Sequence, residues 1–335
     1  MKVCIYGAGA IGGWLGVHLA RQGCTLSAVA RGATLEALQR GGLVLRQGDQ
    51  EMAVSLKTIA NAAELGQQDL VIVAVKAPAM ADVARHIGPL LGPQTLVLTA
   101  MNGVPWWFLQ GFGGSLAGTT LQSVDPCGVM ARHIPTDQVI GGVVHASCSL
   151  DMPGVIRHHF GNGLILGEPS GADSPRLRDL VALLRQAGFN ATASAQIQKD
   201  VWYKLWGNMT INPISAFTGA TTDVILDDPL VRGFVSSVML EAKAIGERIG
   251  IPLAQTPEDR HAVTRKLGAF RTSMLQDVDA GKPVELDALV SAVRELGGLT
   301  GVATPFTDAL LGLSRVHAAR LGLYPHPERG QPTRP

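Results

Sequence analysis

The stretch Gly7-Ala8-Gly9-Ala10-Ile11-Gly12 limits this chain's fold more than any other. It follows a short apolar run, KVCIY at 2–6, and opens a helical pattern over 10–22. In that setting the spacing G-x-G-x-x-G reads as a dinucleotide-binding turn. The first glycine permits the tight turn, the second lets the backbone approach a pyrophosphate, and the third lets helix and strand pack closely. The helix N-terminus then presents unpaired N–H groups and the positive end of its dipole to the phosphates.

The sequence on either side repeats the same alternation. TLSAVA (25–30) reads as a second strand and ATLEALQR (33–40) as a short helix. LVLRQ and EMAVSL flank Gly48-Asp49 as a β-hairpin. DLVIVAV (69–75) and TLVLTA (95–100) are wholly apolar strands. Buried strands alternating with helices predict an α/β fold with a Rossmann-type, doubly wound and mainly parallel sheet. From about 118 to 168 the pattern changes to short strands broken by Gly, Pro and His, extending the sheet in mixed orientation. Helical patterns then dominate, at 175–187, 196–212, 228–250, 257–268, 286–298 and 304–322. The expected organisation is a nucleotide-binding domain over 1–192, an all-α substrate domain over 193–323, and a loose Pro- and charge-rich tail over 324–335.

Composition narrows the function. Twenty-eight basic and 27 acidic residues leave a net charge of +1, and no basic run gives a nucleic-acid footprint. Cys4, Cys24, Cys127 and Cys148 are far apart and form no CxxC pair. His158-His159 has no Cys or carboxylate at zinc-ligand spacing, so no metal site is expected. Isolated cysteines, the lack of a signal segment and the lack of an apolar stretch of ~18 residues point to a cytoplasmic protein. An apolar helical domain permits a monomer or a homodimer.

An NAD site usually places an acid about 20 residues beyond the glycines, at the end of the second strand, to hold the ribose 2′-hydroxyl. Here that strand ends Val29-Ala30-Arg31-Gly32. Arg31 suits a 2′-phosphate, so NADP(H) is the expected cofactor. Ligands of open α/β sheets bind outside the carboxyl ends of the strands. Two further residues stand at such ends: Lys76 after DLVIVAV and Asn102 after TLVLTA.

The helix 196–212 carries an unusual pattern. Val201, Trp202, Leu205, Trp206 and Met209 form one apolar arc at 100° per residue. Lys204, Asn208 and Asn212 follow at four-residue steps, drifting from its flank onto the buried face. At ~1.5 Å per residue they span ~12 Å, enough to line a groove for a small polar substrate against the cofactor. Pro213 disfavours helical geometry at Asn212, so the helix is expected to end there.

GAGAIG, Arg31, Lys76, MNG at 101–103, KxxxNxxxNP at 204–213 and SMLQD at 273–277 occur in this order, followed by a glutamate. Over about residues 1–320 the combination resembles the ketopantoate reductases, NADPH-dependent 2-dehydropantoate 2-reductases of pantothenate and coenzyme A biosynthesis. The resemblance implies a helical second domain like the C-terminal domain of 6-phosphogluconate dehydrogenase. It makes Lys204 the match of the general acid and Glu285 the match of the functional glutamate. Asn208, Asn212 and Ser273 match substrate-side residues, and Asn102 and Lys76 match pocket residues of the cofactor domain, Asn102 serving both cofactor and substrate. By itself Glu285 is an acid near a helix start, favoured by the dipole. Two features depart from the family pattern: Thr221-Thr222 stands where many members have an asparagine, and Trp106-Trp107 follows the Asn-Gly turn. They leave open a reductase of another 2-oxo acid. A non-catalytic NADP-binding regulator would have no need of Lys204 and Glu285 together.

Overall fold

The computed structural model describes residues 1–325. The chain forms two compact units. The first comprises 1–102, 106–112 and 127–200; the second comprises 103–105, 113–126 and the chain from 201 onward. The changeover at Asp200–Val201 falls inside a helix, a few residues past the 192/193 boundary read from the sequence.

The first unit is built on one sheet, ten-stranded among the described residues. Its parallel part comprises β1 (Lys2–Tyr6), β2 (Thr25–Val29), β5 (Lys57–Ile59), β6 (Leu70–Val73), β7 (Leu96–Thr99) and β8 (Val139–Met152), after the hairpin β3 (Leu43–Gln47) and β4 (Gln50–Val54) is set aside. These six lie in the order β5-β2-β1-β6-β7-β8. The chain runs outward from β1 to one side, then returns to β6 and runs to the other. A crevice therefore opens at the carboxyl ends of β1 and β6, where such sheets bind ligands. β9 (Val155–Gly167) runs antiparallel to β8, with β3 and β10 (Asn190–Ala193) parallel to β9, so the sheet is mixed.

Within the parallel strands, alternate residues serve opposite faces. Val3, Ile5, Leu70 and Ile72 join a buried cluster with Trp14, Leu15 and Leu19 of α1 (Ala10–Arg21). Four more helices belong to this unit: α2 (Gly32–Gly41), α3 (Met80–His86), α4 (Val129–His133) and α5 (Pro175–Gln186), the last adding Leu177, Leu180 and Leu184 to the same cluster.

The region read as several short strands is instead one long hairpin, β8–β9, preceded by turns and α4. Its glycines mark close packing and not only turns. A side chain at Gly141 would sit 2.5 Å from the Trp107 ring. Register shifts between His145 and Met152 absorb the remaining irregularity as bulges.

The second unit is helical. α6 (Ile197–Thr218) enters it from Val201 and is buried nearly all round, as its weak amphipathicity requires. It is followed by α7 (Thr222–Asp227), α8 (Pro229–Arg248), α9 (Pro257–Arg265), α10 (Ser273–Asp279), α11 (Ala292–Thr300) and α12 (Pro305–Arg320). Trp206 Nε1 donates to the Met239 carbonyl of α8 at 2.7 Å. Glu241 of α8 accepts from Phe306 N–H, Thr307 N–H and the Thr307 hydroxyl, capping the start of α12.

The expected helix end at Asn212 is corrected: α6 runs through Pro213 to Thr218. Pro213 withholds one N–H from the Met209 carbonyl and crowds that carbonyl with its ring. Burial of Ile214, Ser215 and Ala216 beyond it holds the helix together. Tyr324, the first residue of the expected tail over 324–335, is tied to the helical unit. The Tyr324 hydroxyl donates to Asp287 Oδ1 at 2.6 Å, and Arg315 lies over its ring. The rest of that tail, 326–335, lies outside the described residues.

Candidate functional site

In the first unit, the glycine turn has the geometry its spacing calls for. Gly7 follows β1 with φ +98°, in the left-handed region, and a side chain there would strike Val75 and Ala74 just beyond β6. A Cβ on Gly12 would lie 2.2 Å from the Gly7 carbonyl oxygen. At Gly9 a Cβ would meet only open space. The N-terminus of α1 has no side-chain cap and no acid in its first turn, so nothing of the protein's own competes for an anion there. Ala8, Ala10 and Ile11 complete the turn without bulk. These features fit a dinucleotide pyrophosphate.

Arg31 follows the second strand by two residues and occupies the N-cap position of α2. Its guanidinium is exposed and paired to Asp82 of α3, Nη2 to Oδ2 2.7 Å. Burial raises the Tyr6 hydroxyl's pKa, an effect the neighbouring Arg31 cation opposes. Lys76 is exposed at the end of β6, preceding the helical turn Ala77–Ala79. Asn102 is half-buried beyond β7.

In the second unit, the tryptophan-rich face of α6 is buried, with Trp202 and Trp206 at 1% and 0% exposure. Lys204 and Asn208 are half-buried, and Asn212 is buried. The Lys204 ammonium is desolvated enough to bring its pKa from 10.5 down to about 8. The carboxylate of Glu285, itself buried, opposes that fall electrostatically. The structure thus couples Lys204 to Glu285, 81 positions later in the chain. Ser273 begins α10, but Thr272 is the residue whose hydroxyl caps it, accepting from Leu275 N–H at 3.2 Å.

A device that no sequence period revealed lies next to Glu285. Residues Asp287–Ser291 form a π-turn leading into α11. Ala292 N–H bonds the Asp287 carbonyl five residues back and so bypasses that of Ala288. The Ala288 carbonyl instead accepts from Val104 N–H at 2.8 Å. Gly103 makes this approach possible: its φ is +84°, and a side chain would lie 2.6 Å from the Ala288 oxygen. The MNG turn is therefore anchored three residues beyond Glu285. Glu295 fixes a second loop of this unit by accepting from Gln122 N–H, Ser123 N–H and the Ser123 hydroxyl.

The two departures from the family pattern have structural explanations. Thr222 is buried, donating its N–H to Phe270 O and its hydroxyl to Gly268 O. Trp106 and Trp107 are both buried in the first unit, and Trp107 Nε1 donates to Thr99 Oγ1 at 3.2 Å. Among the described residues no cluster of His, Cys, Asp or Glu could hold a metal ion, and no helix is long and apolar enough to cross a membrane.

Comparison with known proteins gives the same assignment for both ends of the chain. Residues 3–106 match the family model described as ketopantoate reductase PanE/ApbA, and residues 196–318 match its C-terminal counterpart. A 2-dehydropantoate 2-reductase of Mesorhizobium japonicum is 46% identical, over 97% of this chain and 100% of the relative. The crystal structure of a ketopantoate reductase-family protein from Ralstonia solanacearum MolK2 superposes with a TM-score of 0.92 at 56% identity, covering 96% and 99% of the two chains. A 2-dehydropantoate 2-reductase of Geobacter metallireducens aligns with a TM-score of 0.82 at 26% identity, covering 94% and 99%. The chain is an oxidoreductase of the ketopantoate reductase family.

Proposed function

We propose that this enzyme reduces 2-dehydropantoate to pantoate with NADPH, in the cytoplasm, as a step towards pantothenate and coenzyme A. The observation that carries the reading is the Lys204–Glu285 couple. A desolvated ammonium with its pKa lowered to about 8, within electrostatic range of a buried carboxylate, is poised to give up a proton near neutral pH. The glycine turn supports a dinucleotide, and Arg31 beyond the second strand supports a 2′-phosphate over a 2′-hydroxyl.

When bound, NADPH supplies the hydride that adds to the C2 ketone. Negative charge then builds on the ketone oxygen. Lys204 Nζ–H stabilises that charge and transfers its proton to the oxygen, leaving a neutral amine. Glu285 favours the ammonium form of Lys204; binding the substrate's hydroxyl is its alternative role. Asn102, Asn208, Asn212 and Ser273 orient the 2-oxo acid by hydrogen bonds. Gly7 to Gly12 and Lys76 hold the phosphates and the nicotinamide half. The 46% identical relative named for this reaction supports the choice of substrate.

The test is NADPH oxidation against a panel of 2-oxo acids, run beside NADH. The highest kcat/KM on 2-dehydropantoate with NADPH is expected. A higher value on another acid would reassign the substrate, and a preference for NADH would overturn the reading of Arg31.

A further inference from the structure

The carboxylate that faces Arg31 has no place in the reading so far. Asp82 lies in the first turn of α3. Its Oδ2 is 2.7 Å from Arg31 Nη2, and both side chains are exposed, at 42% and 60%. His86 Nδ1 lies 3.3 Å from Oδ1 on the opposite side. Tyr6, at the end of β1, is close enough for its hydroxyl to feel both Arg31 and Asp82. The guanidinium expected to receive a 2′-phosphate is therefore already engaged by an anion of the protein itself.

We propose that Asp82 sets how strongly this enzyme prefers NADPH over NADH, by competing with the 2′-phosphate for Arg31. The inference rests on the reading of Arg31 as the 2′-phosphate residue. A phosphate carrying nearly two charges that comes to Arg31 must either displace Asp82 or share the guanidinium with it. Sharing brings two anions within several ångströms of each other at an exposed site. There the repulsion is damped by water and salt but not abolished. NADH brings only a 2′-hydroxyl, which can donate to Asp82 and meets no such repulsion. Asp82 thus lowers the affinity for one cofactor and leaves that for the other intact or improved. An enzyme with Arg31 but no Asp82 would discriminate more sharply.

The experiment measures dissociation constants of NADPH and NADH for the full chain by fluorescence titration. All titrations are run at one fixed pH and ionic strength. Wild type, Asp82→Asn, Arg31→Ala and the double variant are compared. Both positions are exposed, so each variant is expected to fold. Asp82→Asn should raise the NADPH-to-NADH affinity ratio about five- to tenfold. In the Arg31→Ala background the same change should leave the ratio within about twofold, because the shared partner is gone. A ratio that falls with Arg31→Ala but is unmoved or lowered by Asp82→Asn overturns the role of Asp82 alone. A ratio that ignores Arg31→Ala overturns the cofactor reading and this inference with it.

Discussion

The substitution Glu285→Gln removes a buried negative charge while keeping the side chain's shape. Lys204 sits at about pH 8 because burial pulls its pKa down and the Glu285 carboxylate pulls it up. The fall from 10.5 to about 8 amounts to ~3 kcal/mol against the charged ammonium. Without Glu285 only the downward pull remains. A nearby opposite charge typically shifts a pKa by about one to three units, so the pKa should drop by at least about one pH unit. The sign for activity follows from the acid's role. Lys204 must be protonated to act, so reduction is full below its pKa and lost as pH rises through it. The assay is kcat/KM for 2-dehydropantoate with saturating NADPH across pH 6–10, which reports the free enzyme's acid. Wild type should lose activity with a midpoint near pH 8. Glu285→Gln should lose it at a midpoint about one pH unit lower or more, whatever the change in the plateau. A midpoint that stays in place, or moves up, would refute the electrostatic coupling.

Three further substitutions test the frame around the site. Gly103→Ala forces a side chain into the Ala288 carbonyl at a left-handed φ, and should cost ~2–4 kcal/mol in urea unfolding; a loss below about 0.5 kcal/mol would show that the turn is not anchored as described. Tyr324→Phe deletes the hydroxyl that donates to Asp287 and should cost ~1 kcal/mol in the same assay, whereas a neutral result would return Tyr324 to a loose tail. Arg31→Ala should raise the KM for NADPH tenfold or more and that for NADH by less than about twofold; equal changes would remove Arg31 from the 2′-phosphate.

The parts of this protein that were legible in the sequence are those with local rules. Gly7 and Gly12 could be read because a strand–turn–helix of this kind tolerates nothing larger at those points. β6 could be read because four consecutive buried residues leave few alternatives. Pro213 misled because a local steric rule was outweighed by the burial of Ile214 to Ala216, which no window of sequence displays. Gly141 of β8 misled because it serves Trp107, over thirty residues away. Lys204 and Glu285 were paired by resemblance alone, since their electrostatic coupling is a tertiary fact. Asp82 was missed altogether. The only available signal was an acid in the first turn of the helix after β6, and nothing in its spacing from Arg31 marks it as a partner.

The central claim is that Lys204 is the proton donor in an NADPH-dependent reduction. The most direct measurement is a single turnover: Lys204→Ala, preloaded with NADPH and mixed with 2-dehydropantoate, followed by loss of reduced-nicotinamide absorbance. NADPH should bind within about twofold of wild type while hydride transfer slows by ~10²–10⁴-fold. A variant that binds NADPH normally and turns over at nearly the wild-type rate would contradict the claim.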